Sequence, residues 1–322
     1  MPEAFRTDFA REREDARSFA DRESLSANSR KRPPPRTLLA AAVPKYLRTA
    51  HVLTGYRNVQ LTEGSWQRTW ATLWQWNNET LDVWTHLLPS LIYLLLATYW
   101  TCRAPSTTTT TTTTTLASPR AWSAADRWSM VAYAAAAATC FGVSAAYHLL
   151  QVYSWRVFRR MRLADFQGIV LLIAASYVPA LRLGYRCWPR IARILLLTNA
   201  VLYAVTAAAM WRAHCTDARL FRNICFVVYT AWGWIPLWLG ASLRIPVAGW
   251  LTRQAAVLWT IYGVGFWFHC SGWPERQWRG RFDSCGHSHQ WFHVATVVAS
   301  AFWVHAMVAL HHRAYADGCS AA

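Results

Sequence analysis

The chain has 322 residues, 54% of them hydrophobic and 15% charged, and a formal net charge of +17 from 33 Lys and Arg against 16 Asp and Glu. Its apolar residues are gathered into long blocks, a distribution that excludes a soluble enzyme or a free nucleic-acid binder as the first reading. In a membrane protein such a charge excess speaks to orientation and to anionic lipid before it speaks to nucleic acid.

Residues 1–36 mix Arg, Ser and acidic residues with the Pro33-Pro34-Pro35 run, a composition that cannot bury enough apolar surface to order itself, so they read as a disordered cytosolic tail. They contain no apolar stretch that a cleavable signal peptide would need. Residues 37–82 form a basic juxtamembrane segment in which Trp66, Trp70, Leu73 and Trp74 recur at helical spacing, predicting a helix lying in the membrane interface. Seven nearly charge-free windows of 18 to 23 residues follow, at 83–102, 128–150, 166–183, 191–211, 224–243, 255–272 and 291–310. A spanning helix needs about 20 apolar residues, so residues 83–312 are predicted to be a seven-helix membrane core, leaving 313–322 as an outer tail. The 21 Trp fit anchoring at membrane interfaces. The first outer loop carries nine consecutive threonines, 107–115, read as low-complexity linker. Pro89, Pro179 and Pro236 fall inside spans, where kinks are expected.

The fold class is therefore an all-α, multi-pass integral membrane protein. With the N-terminus inside, 23 Lys and Arg lie on the inner side or before the first span and 10 on the other, which favours a cytosolic N-terminus and an outer C-terminus. Most of that asymmetry comes from the 13 that precede the first span. The eight cysteines include no C-x-x-C pair; most read as small core residues, while Cys102 and Cys187 both fall at outer helix ends, where they could pair.

Topology also sorts the 11 histidines. The second span ends inside with His148, the third starts inside with Asp165, and the seventh starts inside with His289 and His293. A spacing of four stacks the last two on one helical face, roughly 6 Å apart in depth, and Ser144 stands in the same relation to His148. Three imidazoles suit zinc and leave its fourth tetrahedral position for water. Taken singly, such residues also serve as capped or snorkelling groups at helix ends, and His-x-x-x-His here lacks the Glu of the H-E-x-x-H metalloprotease pattern. His305 stands twelve residues past His293, roughly 18 Å along the helix, too far for the same ion. His86 is a candidate neighbour of the metal, Glu79 reads as a helix-start residue or the partner of a neighbouring loop, and His287 reads as loop. Asn78-Glu79-Thr80 forms a glycosylation sequon that this topology keeps cytosolic and unused.

Asn78-Glu79-Thr80, Trp84-Thr85-His86-Leu87, Ser144-x-x-x-His148, Leu163-x-Asp165 with Gly168, Pro274-Glu275-Arg276 with Gly280-x-Phe282-Asp283, and Ser288-His289-Gln290-x-Phe292-His293 occur in that order. Together they resemble the progestin and adiponectin receptor family, which includes adiponectin receptors, hemolysin III proteins and fungal osmotin-receptor and zinc-homeostasis proteins. The resemblance covers about residues 54–305. It implies seven helices, a cytosolic N-terminus and zinc near the inner face, held by His148, His289 and His293, with Ser144 and Asp165 beside the water at the metal. It also implies a relation to alkaline ceramidases. One departure is that the family's His-Asn-Glu-Thr reads Asn77-Asn78-Glu79-Thr80.

The expected function is a zinc-binding receptor with zinc-dependent hydrolysis of a ceramide-like lipid amide at the inner membrane face, Asp165 and Ser144 being catalytic. The alternatives are a non-catalytic receptor with structural zinc, and a zinc or lipid homeostasis protein. Expected partners are a membrane lipid and an extracellular protein ligand, with no nucleic acid, in the plasma membrane or the endoplasmic reticulum.

Overall fold

The computed structural model describes residues 36–102, 122–316 and 319. The threonine run 107–115 and residues 1–35 of the tail lie outside them.

The juxtamembrane segment is built from short pieces. Strands β1 (Thr37–Leu38) and β2 (Tyr56–Arg57) pair antiparallel, and helices α1 (Val59–Thr62) and α2 (Trp66–Ala71) follow. Trp66, Trp70 and Trp74 are exposed, in keeping with the expected interfacial helix, although that helix is only six residues long and passes into a 3-10 turn.

The bundle consists of α3 (Thr80–Cys102), α4 (Ala124–Leu150), α5 (Trp155–Gly184), α6 (Pro189–Cys215), α7 (Arg219–Ala231), α8 (Trp234–Ser242), α9 (Ala248–Ser271) and α10 (Ser288–Ala316). Among the described residues six segments are long and apolar enough to cross a membrane, one of them made of α7 and α8 together. Helix α9 has the length, at 24 residues, but Arg253, glycines and half-polar aromatics dilute its apolar run. The chain is an all-α integral membrane protein.

Start signals are local. Ser123 and Ser154 accept hydrogen bonds from the backbone N–H of Asp126 and Val157 and so cap α4 and α5, while Pro189 opens α6. The span expected to kink at Pro236 instead breaks between α7 and α8, at Trp232-Gly233. There a Cβ on Gly233 would come within 2.9 Å of Tyr177 and of Trp259. Tyr177 donates to the Thr230 carbonyl at 2.8 Å, satisfying backbone at the break. Pro89 and Pro179 lie inside continuous helices.

Helix α4 is central. Its buried stripe of Met130, Tyr133, Ala137, Phe141, Ser144 and His148 packs between α3 and α5. The alanines between these residues let neighbouring backbones approach closely, which in lipid replaces a hydrophobic driving force between helices. Helix α10 packs along α9 and also touches α3 and α5. Leu91, Ile92 and Leu95 of α3 and Ile194, Leu197 and Val201 of α6 are exposed, as lipid-facing residues should be.

At the end of the bundle away from His148, Cys187 is disulfide-bonded to Cys319, with Cα atoms 5.5 Å apart, and Cys102 is a free, exposed thiol. The pairing that position left open to Cys102 and Cys187 does not form, because α10 runs on to Ala316 and carries residue 319 over the end of α5. Buried Asp126 gathers the same corner by accepting from Arg182 Nε at 3.0 Å and from the Tyr315 hydroxyl at 2.6 Å.

A Cβ on Gly265 of α9 would stand 2.7 Å from the Ala295 Cβ of α10, whereas one on Gly263 meets nothing within 4 Å. Gly265→Ala is expected to destabilise by about 1–3 kcal/mol through overpacking, and Gly263→Ala to be neutral or slightly stabilising. Thermal unfolding of the two variants in detergent checks this; equal midpoints would refute the close approach.

Candidate metal centre

Helix α4 ends and α10 begins at one end of the bundle, and there His148, His289 and His293 bring three ring nitrogens within 4.8 Å of one another. His148 and His293 are buried and His289 half-buried. His148 Nε2 is 3.2 Å from His289 Nε2. Two nitrogens bound to one tetrahedral zinc at about 2.0–2.1 Å stand roughly 3.3–3.4 Å apart, so this spacing fits a shared ion.

The partners of two of these rings set the tautomers that a metal needs. The other nitrogen of His148, Nδ1, lies 2.7 Å from Glu79 Oε2, and a carboxylate accepts, so Nδ1 carries the hydrogen and Nε2 keeps its lone pair. His293 Nδ1 lies 3.2 Å from Thr85 Oγ1, whose one hydrogen is already donated to the Leu81 carbonyl at 2.6 Å. Towards His293 the hydroxyl can only accept, which leaves Nε2 of that ring free as well. A carboxylate or hydroxyl behind a histidine is the usual support of a metal ligand. His86 stacks face to face on His293, with ring centroids 3.6 Å apart, and neither of its nitrogens has a hydrogen-bond partner among the described residues.

Asp165, half-buried on α5, does not belong to the group of three imidazoles; its carboxylate lies against the hydroxyl of buried Ser144. These two residues from α5 and α4 supply a proton acceptor and a hydroxyl beside the rings. His305 points out of the bundle and is exposed, in line with the depth argument.

The motif residues outside the helices hold the histidines in place. Arg57, from β2, reaches under the end of α4 and donates to the carbonyls of His148 at 2.6 Å and Leu149 at 2.7 Å, the preferred place for a cation at a helix C-terminus. Burial pulls its guanidinium down to about 10, against the opposing pull of Glu79 and Asp82. Burial alone would push the Glu79 carboxyl up, but the hydrogen bond with His148 and the charges of Arg57 and His287 hold it below the usual range. His287 Nε2 pairs with Asp82 Oδ2 at 3.2 Å. Burial opposes charge on that imidazole too, yet Asp82 and Glu79 raise it to about 9. Buried Glu275 accepts from both the N–H and the hydroxyl of Ser288 and so caps α10 five residues before His293. Asp283 accepts from the Thr54 N–H and hydroxyl, each at 2.8 Å, which ties the loop before α10 to the N-terminal ribbon.

The three rings read from the sequence thus come together, while Glu79, read as a helix start or a loop partner, hydrogen-bonds His148, and His287, outside a helix as expected, is a buried ion-pair partner. The reach of Arg57 across about ninety residues left no local signal. His269 of α9 was also missed; its ring centroid is 5.7 Å from that of His289.

The sequence model of the family described as haemolysin-III related matches residues 74–304, a stretch that contains every residue just described except Arg57, Thr54 and His305. The chain belongs to this family. It is 34% identical over 214 residues to a heptahelical transmembrane protein, ADIPOR2, of Oryza sativa subsp. japonica, covering 61% of this chain and 88% of that protein. It is 28% identical over 269 residues to the adiponectin receptor protein of Drosophila melanogaster, covering 81% of this chain and 56% of that protein. Against progestin and adipoQ receptor family member 3 of Mus musculus it is 27% identical over 241 residues, covering 70% and 71%.

Within this haemolysin-III related chain, His148→Ala, His289→Ala or His293→Ala is expected to abolish stoichiometric metal binding, and His305→Ala to leave it unchanged. Glu79→Gln, which removes the acceptor behind His148, is expected to weaken metal affinity by about 10–100-fold. Elemental analysis and chelator competition on purified protein measure both; metal content that survives all three alanine substitutions would show that these rings are not the ligands.

Proposed function

We propose that the chain crosses the membrane seven times, α9 being the sixth span, with a cytosolic N-terminus and a zinc-dependent lipid-amide hydrolase site at the cytosolic face. The orientation is supported by the Cys187–Cys319 disulfide, which lies at the opposite end of the bundle from the imidazoles. Disulfides persist in oxidising compartments, so that end belongs outside or in the lumen. The host membrane under this reading is the plasma membrane or the endoplasmic reticulum.

The observation that carries the enzymatic reading is the Asp165–Ser144 pair standing beside the three imidazoles without joining them. Zinc held by His148, His289 and His293 supplies a Lewis acid and a water of near-neutral pKa. Asp165 accepts a proton from the attacking water and returns it to the leaving amine nitrogen. Ser144 orients the carboxylate. Once Asp165 is protonated it can donate in its turn, and the Ser144 hydroxyl is released to hydrogen-bond the developing oxyanion. A ceramide-like substrate, amide near the inner interface and chains in the bilayer, suits a site at this depth.

Two relatives, an adiponectin receptor protein and a progestin and adipoQ receptor family member, carry receptor names and favour a second reading, a receptor in which zinc is structural and an extracellular protein shifts the bundle between conformations. The readings part at Asp165. Under the hydrolase reading Asp165→Asn keeps zinc and loses fatty-acid release from ceramide by on the order of 10²-fold or more, and Ser144→Ala costs less. Assay of zinc-loaded wild type and both variants in ceramide-containing vesicles decides. Zinc-loaded wild type that releases no fatty acid would remove the enzymatic reading and leave the receptor.

A further inference from the structure

Beside the metal centre, at the same end of the bundle, arginines converge from two helices, α5 and α7. Arg162 of α5 ion-pairs with Asp217 in the turn after α6, Nη2 to Oδ1 at 3.1 Å, and its guanidinium lies 5.2 Å from the Phe158 ring. Arg222 of α7 sits 4.4 Å over the Phe166 ring and is in electrostatic range of Arg162, Arg219 and Asp217. Arg219 opens α7 and is exposed, and Arg159 reaches the His214 carbonyl at the end of α6. Asp217 is placed among Arg162, Arg219 and Arg222, and it is already engaged with the first. Arg222 is also in electrostatic range of Asp165 and His269, so the cluster borders the mouth of the metal site.

Three features separate this cluster from the scattered arginines expected at any cytosolic membrane face. Two of the guanidiniums are held against aromatic rings and do not trail into water. Like charges are brought together at a helix start, where the α7 dipole adds further positive potential. Next to them, Leu220, Phe221 and Ile224 of α7 and Trp211 of α6 are exposed on the lipid-facing surface. The loop before α10 offers a contrast: Arg279 and Arg281 are exposed there, and neither has an aromatic or ionic partner among the described residues.

We propose that Arg162, Arg219 and Arg222 bind the headgroup of a phosphomonoester-bearing membrane lipid, its acyl chains lying on the apolar surface of α6 and α7. A phosphomonoester carries close to two negative charges and three acceptor oxygens, which suits forked guanidinium donors that outnumber the carboxylates beside them. A lipid is the source because the exposed apolar side chains adjoin the arginines and because anionic lipid is concentrated in the cytosolic leaflet. The assignment stands apart from the chemistry proposed for the metal centre.

The test uses purified full-length protein in phosphatidylcholine nanodiscs containing a few per cent of phosphatidylinositol 4,5-bisphosphate, with phosphatidylinositol as the singly charged comparison. Wild type is expected to retain about one bisphosphate lipid per chain through delipidation, measured by native mass spectrometry. R162Q/R219Q is expected to weaken that binding by about tenfold or more, from roughly 1 kcal/mol per basic residue near the surface. R279Q/R281Q removes the same charge from the same face and is expected to change it less than about twofold. Equal losses in the two double variants would reduce the effect to bulk charge and overturn the site. Soluble inositol trisphosphate binding wild type as tightly as the lipid would overturn the lipid assignment. Should R162Q/R219Q fail to fold, thermal stabilisation of wild type by the bisphosphate lipid over phosphatidylinositol decides alone, and no difference between them refutes the proposal.

Discussion

A bilayer offers no water to an ionisable side chain, so each charge at the end of this bundle must be answered by another part of the protein. Four groups meet that demand together. Arg57 and His287 bring positive charge, Glu79 and Asp82 negative charge, and all four are buried. They interlock across elements distant in sequence: β2, the start of α3 and the approach to α10. Removing one would leave its opposite stranded in a low-dielectric surround, which is far costlier than the pair is stabilising. The positions of the three imidazoles follow from this arrangement, since Glu79 fixes the ring of His148 and Arg57 holds the last carbonyls of the same helix.

The same economy governs the helix ends. A helix that stops inside protein leaves four carbonyls or four N–H groups without intrahelical partners. At the end of α4 the guanidinium takes two of the carbonyls, and at the start of α10 the Glu275 carboxylate takes an N–H and a hydroxyl. Both caps come from outside the membrane core and both adjoin a histidine of the site. The loops at this end are therefore part of the metal centre's framework, and a change in them acts on ring geometry without touching a ring.

Much of the core was legible in sequence because lipid imposes a simple code. Long apolar blocks mark the helices, and alternating direction through the membrane alone puts His148, Asp165, His289 and His293 at one depth. The ends of the helices were less legible: α5 starts eleven residues before its apolar window and α10 runs six beyond its own, because amphipathic turns continue past the hydrocarbon edge. The fifth window hid a break, since Pro236 alone read as a kink and nothing local shows that Tyr177 and Trp259 need the space at Gly233. Glu79, Arg57, Asp82 and His287 form a network between residues far apart in sequence, and such pairs carry no periodicity. The partner of Cys187 was out of reach for a related reason. Helix ends can be placed by hydropathy, but the path of a tail beyond the last span cannot.

That tail has a mechanical meaning. With Cys187 joined to Cys319 across a separation of 132 residues, helices α6 to α10 lie on a covalently closed ring, while α3, α4 and α5 hang from it as a linear arm. A single cut in any loop between α6 and α10 opens the ring but leaves one molecule, whereas a cut between α3 and α5 yields two pieces held only by packing. His289 and His293 ride on the ring and His148 on the arm, so the three imidazoles meet across the seam between the two parts.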